Sequence, residues 1–181
     1  MRLASGGITL LTGGARSGKS AAAVQLGRAW QGAVSMVVTA EALDEEMAHR
    51  IARHRQDRPE GWNEIEEPLV VGAALATVDQ HDLFILDCVT MWVSNLMLSG
   101  LGDDEILECA ERLGAQLAGR QGPSIVVTNE VGAGVHPPTA DGMRYRDLLG
   151  GANQRLAIVA SDVVLMVAGR ALVSSEEPLA W

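Results

Sequence analysis

Lysine is almost missing from this sequence of 181 residues, because 13 of its 14 basic residues are arginine and Lys19 is the one exception. Cysteine is scarce as well: Cys88 and Cys109 are too few for a disulfide framework and lack the spacing of a metal site. We expect two ordinary small buried thiols and a reducing, cytoplasmic environment. No apolar run reaches the length of a membrane span, and the first residues lead directly into a predicted strand, so we expect no signal peptide.

An excess of positive charge is also lacking, since the formal net charge is −9. This balance argues against broad binding to nucleic acids or anionic membranes. Nucleotide binding needs only local positive charge, and basic residues do cluster at Arg16–Lys19, Arg50–Arg58 and Arg144–Arg155. The content of 48% hydrophobic and 20% charged residues is typical of a globular protein. The length predicts one domain over residues 1–181, with at most one further edge strand, ending near Val173, in the tail.

Short apolar segments alternate with longer amphipathic ones. The short segments are rich in β-branched residues, as is typical of parallel strands buried on both faces. They are Ile8–Thr12, Val34–Thr39, Leu83–Asp87, Ser124–Thr128 and Val163–Val167. The longer segments predict helices over Ser20–Trp30, Ala42–Gln56, Val70–Val78, Val89–Leu98, Asp103–Gly119 and Gly142–Ala160. This alternation predicts an α/β fold, a mostly parallel sheet with helices on both faces.

The single lysine lies in an octet that matches the pattern of a phosphate-binding loop, two glycines four residues apart followed by Lys and Ser. Its residues are Gly13, Gly14, Ala15, Arg16, Ser17, Gly18, Lys19 and Ser20. A predicted strand precedes the octet and a predicted helix follows it, which is the context that distinguishes such a loop from a chance match. Its backbone N–H groups can form an anion-binding nest at the start of the helix. We expect Lys19 to bridge the β- and γ-phosphates of a nucleoside triphosphate, and the Ser20 hydroxyl to bind Mg²⁺.

Two acidic residues follow predicted strands, at the edge where open α/β sheets bind ligands. Asp87 ends the segment Leu83–Asp87 and is the candidate for contact with the metal or the nucleotide; the alternative is a cap at the start of the next helix. Glu130 follows the segment Ser124–Thr128. It is a candidate base or outer-shell metal ligand, or a residue with a structural role only.

His54 has arginine on either side, at Arg53 and Arg55, and Arg50 one turn away on the predicted helix. Nearby positive charge disfavours the imidazolium form, so the ring is expected to stay neutral and nucleophilic near pH 7. The arginines could also neutralise a polyphosphate that approaches the ring. The alternative is a charged surface helix without catalytic function, because the acidic first turn and the basic last turn also suit the helix dipole. His49 competes as a nucleophile but lies about 140° around the helix from His54.

Several motifs occur here in one order. They are the octet, Arg53-His54-Arg55, the run Asp87–Leu96, Thr128-Asn129-Glu130-Val131-Gly132, Arg146-Asp147-Leu148 and Asn153–Ala157. Together they resemble the bifunctional adenosylcobinamide kinase / adenosylcobinamide-phosphate guanylyltransferase family of cobalamin biosynthesis, over about Ile8 to Gly169. The resemblance implies a RecA-like P-loop NTPase domain that assembles as a trimer. It further implies phosphorylation of adenosylcobinamide by ATP or GTP, followed by GMP transfer from GTP through a guanylyl-histidine to give adenosylcobinamide-GDP.

The resemblance also assigns residues. The guanylylated histidine of the family falls on His54, and Lys19 serves the triphosphate. The nucleotide contacts fall on the octet and on Val38, Thr39, Ala40, Arg55, Gln56, Asp57, Arg58, Glu66 and Asp87. Magnesium is expected at Ser20 and Asp87. Two alternatives remain at this point: a P-loop kinase for a small molecule without a covalent step, and a switch module that senses or hydrolyses a nucleotide.

Overall fold

The computed structural model describes residues 6–41, 45, 55 and 58–174, and it contains seven strands within these ranges. They are β1 (Ile8–Thr12), β2 (Val34–Val38), β3 (Asn63–Glu66), β4 (Leu83–Asp87), β5 (Ser124–Val127), β6 (Asp162–Val167) and β7 (Arg170–Ser174). The helices with described bounds are α1 (Lys19–Ala29), α2 (Val71–Ala76), α3 (Val89–Leu98), α4 (Asp103–Ala118) and α5 (Ala140–Val159). Nearly all of the helix predicted over Ala42–Gln56 lies outside the described residues.

The sheet order is β3-β2-β4-β5-β1-β6-β7. Every neighbouring pair is parallel except β6 with β7, which is antiparallel. The predicted α/β fold with a mostly parallel sheet is therefore confirmed, and so is the expected edge strand near Val173. One strand, β5, separates β1 from β4. In register, Asp87 pairs with Val127, and Val127 pairs with Leu11, so the carboxyl ends of these three strands lie level.

The two faces of the sheet carry separate cores. On one face, Leu10, Phe84 and Val126 belong to a buried cluster that includes residues of α2, α3, α4 and α5. On the other face, alternate strand residues such as Leu11 and Ile85 pack with Ala23 of α1. The alternation of strand side chains between the faces explains why these segments read as continuous apolar runs. No helix in the described part of the chain is both long and apolar enough to cross a bilayer.

Strand β3 was not predicted. Its sequence, Asn-Glu-Ile-Glu, contains one apolar residue, and its residues are half-buried or exposed at the edge of the sheet. A search for short apolar runs cannot find such a strand, because pairing with β2 rather than burial of side chains holds it in place. This strand carries Glu64 and Glu66, which pair with arginine side chains.

Candidate nucleotide-binding site

The octet forms the turn between β1 and α1. Gly13 has a φ of 141°, and a Cβ atom there would lie 2.3 Å from the carbonyl oxygen of Met166, so only glycine fits. Gly18, with a φ of 102°, is the N-cap of α1, and no side-chain hydrogen bond caps the helix there. The first N–H groups of the helix, at its positive end, are therefore in position to bind an anion.

Lys19 is 7% exposed, and its side chain folds back over the loop. Its Nζ donates to the carbonyl oxygens of Gly13 at 2.8 Å and Gly14 at 2.7 Å, and to Oγ of Ser17 at 3.3 Å. The ammonium is thus held above the loop where phosphates are expected. Burial of a lysine in a ring of oxygen acceptors, with no core function for its charge, is typical of a phosphate-binding lysine.

Asp87 lies next to the start of α1. Its Oδ1 accepts a hydrogen bond from Oγ of Ser20 at 3.4 Å, and its Oδ2 lies 3.8 Å from Nη2 of Arg58. The alternative role as a helix cap is wrong, since the N-cap of α3 is Cys88 and no side-chain hydrogen bond caps that helix. The two residues predicted to bind Mg²⁺, Ser20 and Asp87, are therefore brought together from sequence positions 67 residues apart.

No group of three or more His, Cys, Asp or Glu that could hold a metal occurs in the described ranges. One hydroxyl and one carboxylate nevertheless fit Mg²⁺ in a nucleotide site, because this ion keeps several waters and takes further oxygen ligands from the phosphates. Ser20 and Asp87 are the residues that would hold it.

Thr39 makes hydrogen bonds that join the ends of two strands. Its side chain is fully buried. Oγ1 of Thr39 donates to the Cys88 carbonyl oxygen at 2.6 Å and also accepts a hydrogen bond from the Cys88 N–H at 3.0 Å. Its backbone N–H donates to the Asp87 carbonyl oxygen at 3.2 Å. Thr39 therefore holds the end of β4 beside the end of β2, where Val38 is buried and Ala40 is half-buried.

The segment that precedes β3 contributes a cluster of charges. Arg58 pairs with Glu64, and Arg55 lies 2.7 Å from Glu64 and 2.5 Å from Glu66. The side chains of Arg58 and Glu64 are only 10% and 20% exposed, whereas those of Arg55 and Glu66 are 54% and 65% exposed. Two residues predicted to contact the nucleotide, Arg55 and Arg58, are thus joined through Glu64, and a third, Glu66, pairs directly with Arg55. Glu64 itself was not among the predicted site residues.

The protonation of this cluster follows from its contacts. Burial alone would raise the pKa of Glu64, but the hydrogen bonds from Arg58 and Arg55 outweigh it, and the pKa lies below its ordinary value. Hydrogen bonds to Glu64 and then Glu66 raise the pKa of Arg55. The Glu64 carboxylate and the Arg55 guanidinium are therefore both charged at neutral pH. The only sequence signal for Glu64 is its alternation with Glu66 on either side of Ile65.

The other candidates are settled in part. Oε1 of Glu130 accepts the N–H groups of Gly132 at 2.5 Å and Ala133 at 3.2 Å, which supports the structural alternative for this residue. Cys88 and Cys109 are free and half-buried, so the expectation of buried thiols holds only in part. Burial, together with the charge of Asp87, raises the pKa of the Cys88 thiol to about 11. His49, His54, Gln56 and Asp57 lie outside the described residues.

A strand, a glycine-rich turn with Lys19 and Ser20 at the start of a helix, and an aspartate two strands away define a P-loop nucleotide-binding protein. Solved structures support this fold. An ATPase of the type III secretion system of pathogenic bacteria aligns with a TM-score of 0.58 at 11% identity, over 88% of this chain and 51% of that one. The RadB recombinase aligns with a TM-score of 0.53 at 19% identity, over 90% of this chain and 75% of that one. The predicted RecA-like fold class is confirmed.

Sequence comparison shows the family. The family described as cobinamide kinase / cobinamide phosphate guanyltransferase matches residues 9–173, and the chain belongs to it. A bifunctional adenosylcobalamin biosynthesis protein, CobP of Pseudomonas aeruginosa, is 38% identical over 177 residues, which cover 94% of this chain and 98% of that protein. The corresponding CobU protein of Escherichia coli is 37% identical over 174 residues, with 88% and 95% coverage. The resemblance found in the motifs is confirmed.

Proposed function

We propose that this chain phosphorylates the aminopropanol hydroxyl of adenosylcobinamide with ATP or GTP, and then transfers GMP from GTP to the new phosphate. The observation that carries the proposal is the convergence of Lys19, Ser20 and Asp87 at one end of the sheet, in a chain that belongs to this family. The fold and the phosphate loop support nucleotide use by themselves. The corrinoid substrate and the pair of reactions rest on family membership.

In the first reaction, the substrate hydroxyl attacks the γ-phosphorus, the bond to the β,γ-bridging oxygen breaks, and the hydroxyl proton leaves to solvent. Lys19 and the N–H groups at the start of α1 would stabilise charge on the phosphate oxygens. The bound Mg²⁺ would neutralise charge on the β- and γ-phosphates. Ser20 and Asp87 would orient that ion, and the Arg58 guanidinium lies 3.8 Å from the Asp87 carboxylate.

In the second reaction, a ring nitrogen of His54 attacks the α-phosphorus of GTP and pyrophosphate leaves. The substrate phosphate then attacks the same phosphorus, the P–N bond breaks, and adenosylcobinamide-GDP is formed. Arg55 follows His54 in the sequence, and its guanidinium is paired with Glu64 and Glu66. The ionised state of this arginine supports a role in neutralising the polyphosphate, for which it would exchange a carboxylate for a phosphate oxygen.

The decisive experiment is incubation of the protein with α-labelled GTP and Mg²⁺, followed by denaturation. We expect acid-labile, alkali-stable label on the wild-type chain, none on His54→Ala, and none on Lys19→Ala. His49→Ala is the matched control, because it removes the competing histidine from the same segment, and it should label normally. Label that persists in His54→Ala would move the nucleophile elsewhere.

The same assay separates the alternatives. A P-loop kinase without a covalent step would phosphorylate adenosylcobinamide with no label on the protein. A switch module would do neither and would change the binding of a partner between GTP and GDP. In a folded His54→Ala variant we expect phosphorylation of adenosylcobinamide to continue, since that step forms no bond to the enzyme.

We also propose that the chain assembles as a homo-oligomer, with the trimer implied by family resemblance. The observation that supports it is an apolar strip on the sheet edge, where Leu165 of β6 pairs with Leu172 of β7 and the two are 38% and 60% exposed. Val167 is 50% exposed on the same face of β6. Light scattering on the protein eluted from a size-exclusion column should give a mass near three times 19.1 kDa, and Leu172→Asp should lower that mass. A monomeric wild-type mass would refute this part.

A further inference from the structure

Asn129 lies directly after β5, the strand between the phosphate-loop strand β1 and the Asp87 strand β4. Beyond the end of β5, the chain keeps its pairing with β1. The Thr128 N–H donates to the Leu11 carbonyl oxygen at 2.9 Å, and the Glu130 N–H donates to the Gly13 carbonyl oxygen at 3.0 Å. Asn129 is therefore the residue whose backbone lies level with the first glycine of the phosphate loop.

The Gly13 carbonyl oxygen is also one of the acceptors of the Lys19 ammonium, at 2.8 Å. One oxygen atom thus accepts hydrogen bonds from the phosphate-binding lysine and from the residue that follows Asn129. This shared acceptor places the Asn129 position at the part of the loop where Lys19 is held. By the expected role of Lys19, this is the end of the site that receives the β- and γ-phosphates.

The side of the sheet is given by strand alternation. The Thr128 side chain donates to Oδ1 of Asn153 at 2.7 Å, so it lies on the α5 side. Val127 belongs to the buried cluster on the α1 side. Successive residues of a strand point to opposite faces, so Asn129 shares the α1 side with Val127, Lys19 and Asp87.

The backbone of Asn129 is held on both sides. Its N–H donates to Oγ1 of Thr90 at 2.9 Å, and its carbonyl oxygen accepts from Nδ2 of Asn153 at 3.0 Å. Tyr145 in turn donates to the Thr90 carbonyl oxygen at 3.1 Å. Within the part of the chain that the structure describes, the side-chain amide of Asn129 has no hydrogen-bond partner. An amide on a fixed backbone without a structural bond is suited to bind a ligand at little cost in entropy.

We propose that the Asn129 amide donates a hydrogen bond to a γ-phosphate oxygen of the bound triphosphate and stabilises the phosphoryl group during its transfer to the corrinoid hydroxyl. The proposal rests on the proposed function for its acceptor and on the geometry above for its position. As the O–P bond to the acceptor forms and the bond to the β,γ-bridging oxygen breaks, charge shifts among oxygens that the amide contacts. GMP transfer occurs at the α-phosphorus, two phosphates away, and depends less on this contact.

The expected size of the effect is that of one hydrogen-bond donor to a developing charge, a loss of roughly 10²–10³-fold in kcat. Asn129→Ala should show this loss in phosphorylation of adenosylcobinamide at saturating nucleotide, with the KM for adenosylcobinamide nearly unchanged. It should keep GMP transfer within a few-fold when adenosylcobinamide phosphate is supplied. Asn129→Asp, of equal size but negatively charged, should be slower still. Both variants should unfold near the wild-type temperature, because the amide makes no bond in the described structure.

Thr128→Val is the matched control: it loses the bond to Asn153, so its unfolding temperature should fall and its two activities should fall together. Nucleotide binding gives a second readout that needs no corrinoid. Asn129→Ala should bind a non-hydrolysable ATP analogue about tenfold more weakly and ADP with unchanged affinity. Phosphorylation within twofold of wild type, equal losses in both reactions, or equal losses in affinity for both nucleotides would each overturn the proposal. A wild-type protein that binds nucleotides but catalyses neither reaction would instead refute the proposed function, and the binding comparison would still decide the role of Asn129.

Discussion

Removal of the Glu64 charge is the sharpest test of the ion-pair cluster. Glu64 holds Arg58 on the buried side and Arg55 on the exposed side, at the edge strand β3. Glu64→Gln keeps the size and one acceptor oxygen but removes the charge. The Arg58 side chain, 10% exposed, then keeps only a longer contact with Asp87 at 3.8 Å among its ion pairs in the described structure.

The magnitude follows from the two partners. A hydrogen bond to a charged group in a largely buried setting contributes about 1.5–3 kcal/mol, whereas an exposed ion pair contributes about 0–1 kcal/mol. In Glu64→Gln the side-chain amide keeps part of the hydrogen bond with Arg58, so we expect a loss of about 2 kcal/mol in the free energy of unfolding. For a chain of this size, that lowers the unfolding temperature by roughly 4–8 °C.

The pH dependence has a definite sign. The pKa of Glu64 is lower in the folded protein than its ordinary value of 4.5, so the folded state binds this proton less tightly than the unfolded state does. The stabilisation is complete above pH 4.5 and disappears as the pH falls through the folded value. Thermal unfolding of the wild type and of Glu64→Gln should be measured between pH 8 and pH 3. The difference in unfolding temperature should be constant at higher pH and should narrow below about pH 4.5.

Glu66→Gln is the matched control, because Glu66 pairs with Arg55 alone among the described residues and its side chain is 65% exposed. Its unfolding temperature should fall by no more than about 4 °C, in line with an exposed pair. Equal unfolding temperatures for wild type and Glu64→Gln at pH 7, or a difference that widens on acidification, would refute the reasoning about Glu64.

Three further predictions concern the core and the metal. Gly27→Ala should destabilise the protein by about 1–3 kcal/mol in urea unfolding, although alanine favours helices, because the new Cβ would lie 2.4 Å from the Trp62 ring; Trp62→Leu should relieve the loss. Cys88 should resist iodoacetamide at pH 8 and react only as the pH approaches its pKa of about 11, as peptide mass mapping would show; fast labelling at pH 8 would contradict the burial argument. Asp87→Asn should raise the Mg²⁺ concentration for half-maximal turnover at least about tenfold, and an unchanged requirement would remove Asp87 from the proposed metal site.

Most of the sheet was predictable because its strands are buried on both faces. The residues Ile8–Thr12 and Leu83–Asp87 form strands with the predicted bounds, and Val89–Leu98 forms the predicted helix. Such segments carry their signal locally, in unbroken apolar runs or in a helical period. Strand β3 carries no such signal, because its residues are polar and only its pairing with β2 makes it a strand.

The candidate site was predictable to a different extent. The octet was found because backbone geometry restricts its glycines and because one lysine stands out among arginines. The role of Glu64 was not found, since an acidic residue in a polar segment has no distinguishing pattern. The position of Asn129 beside the phosphate loop was not found either, because it depends on β5 lying between β1 and β4.

The phosphate loop, the alternation of strands and helices, and the family can all be read from the order of the amino acids, since each depends on residue types at short spacing or in a fixed order. Which distant residues meet depends on the three-dimensional fold. It brought Asp87 to Ser20, paired Arg55 and Arg58 with Glu64, and placed Asn129 beside Gly13. The physical reason is that strand order and register, which arise from packing of the whole sheet, set these distances.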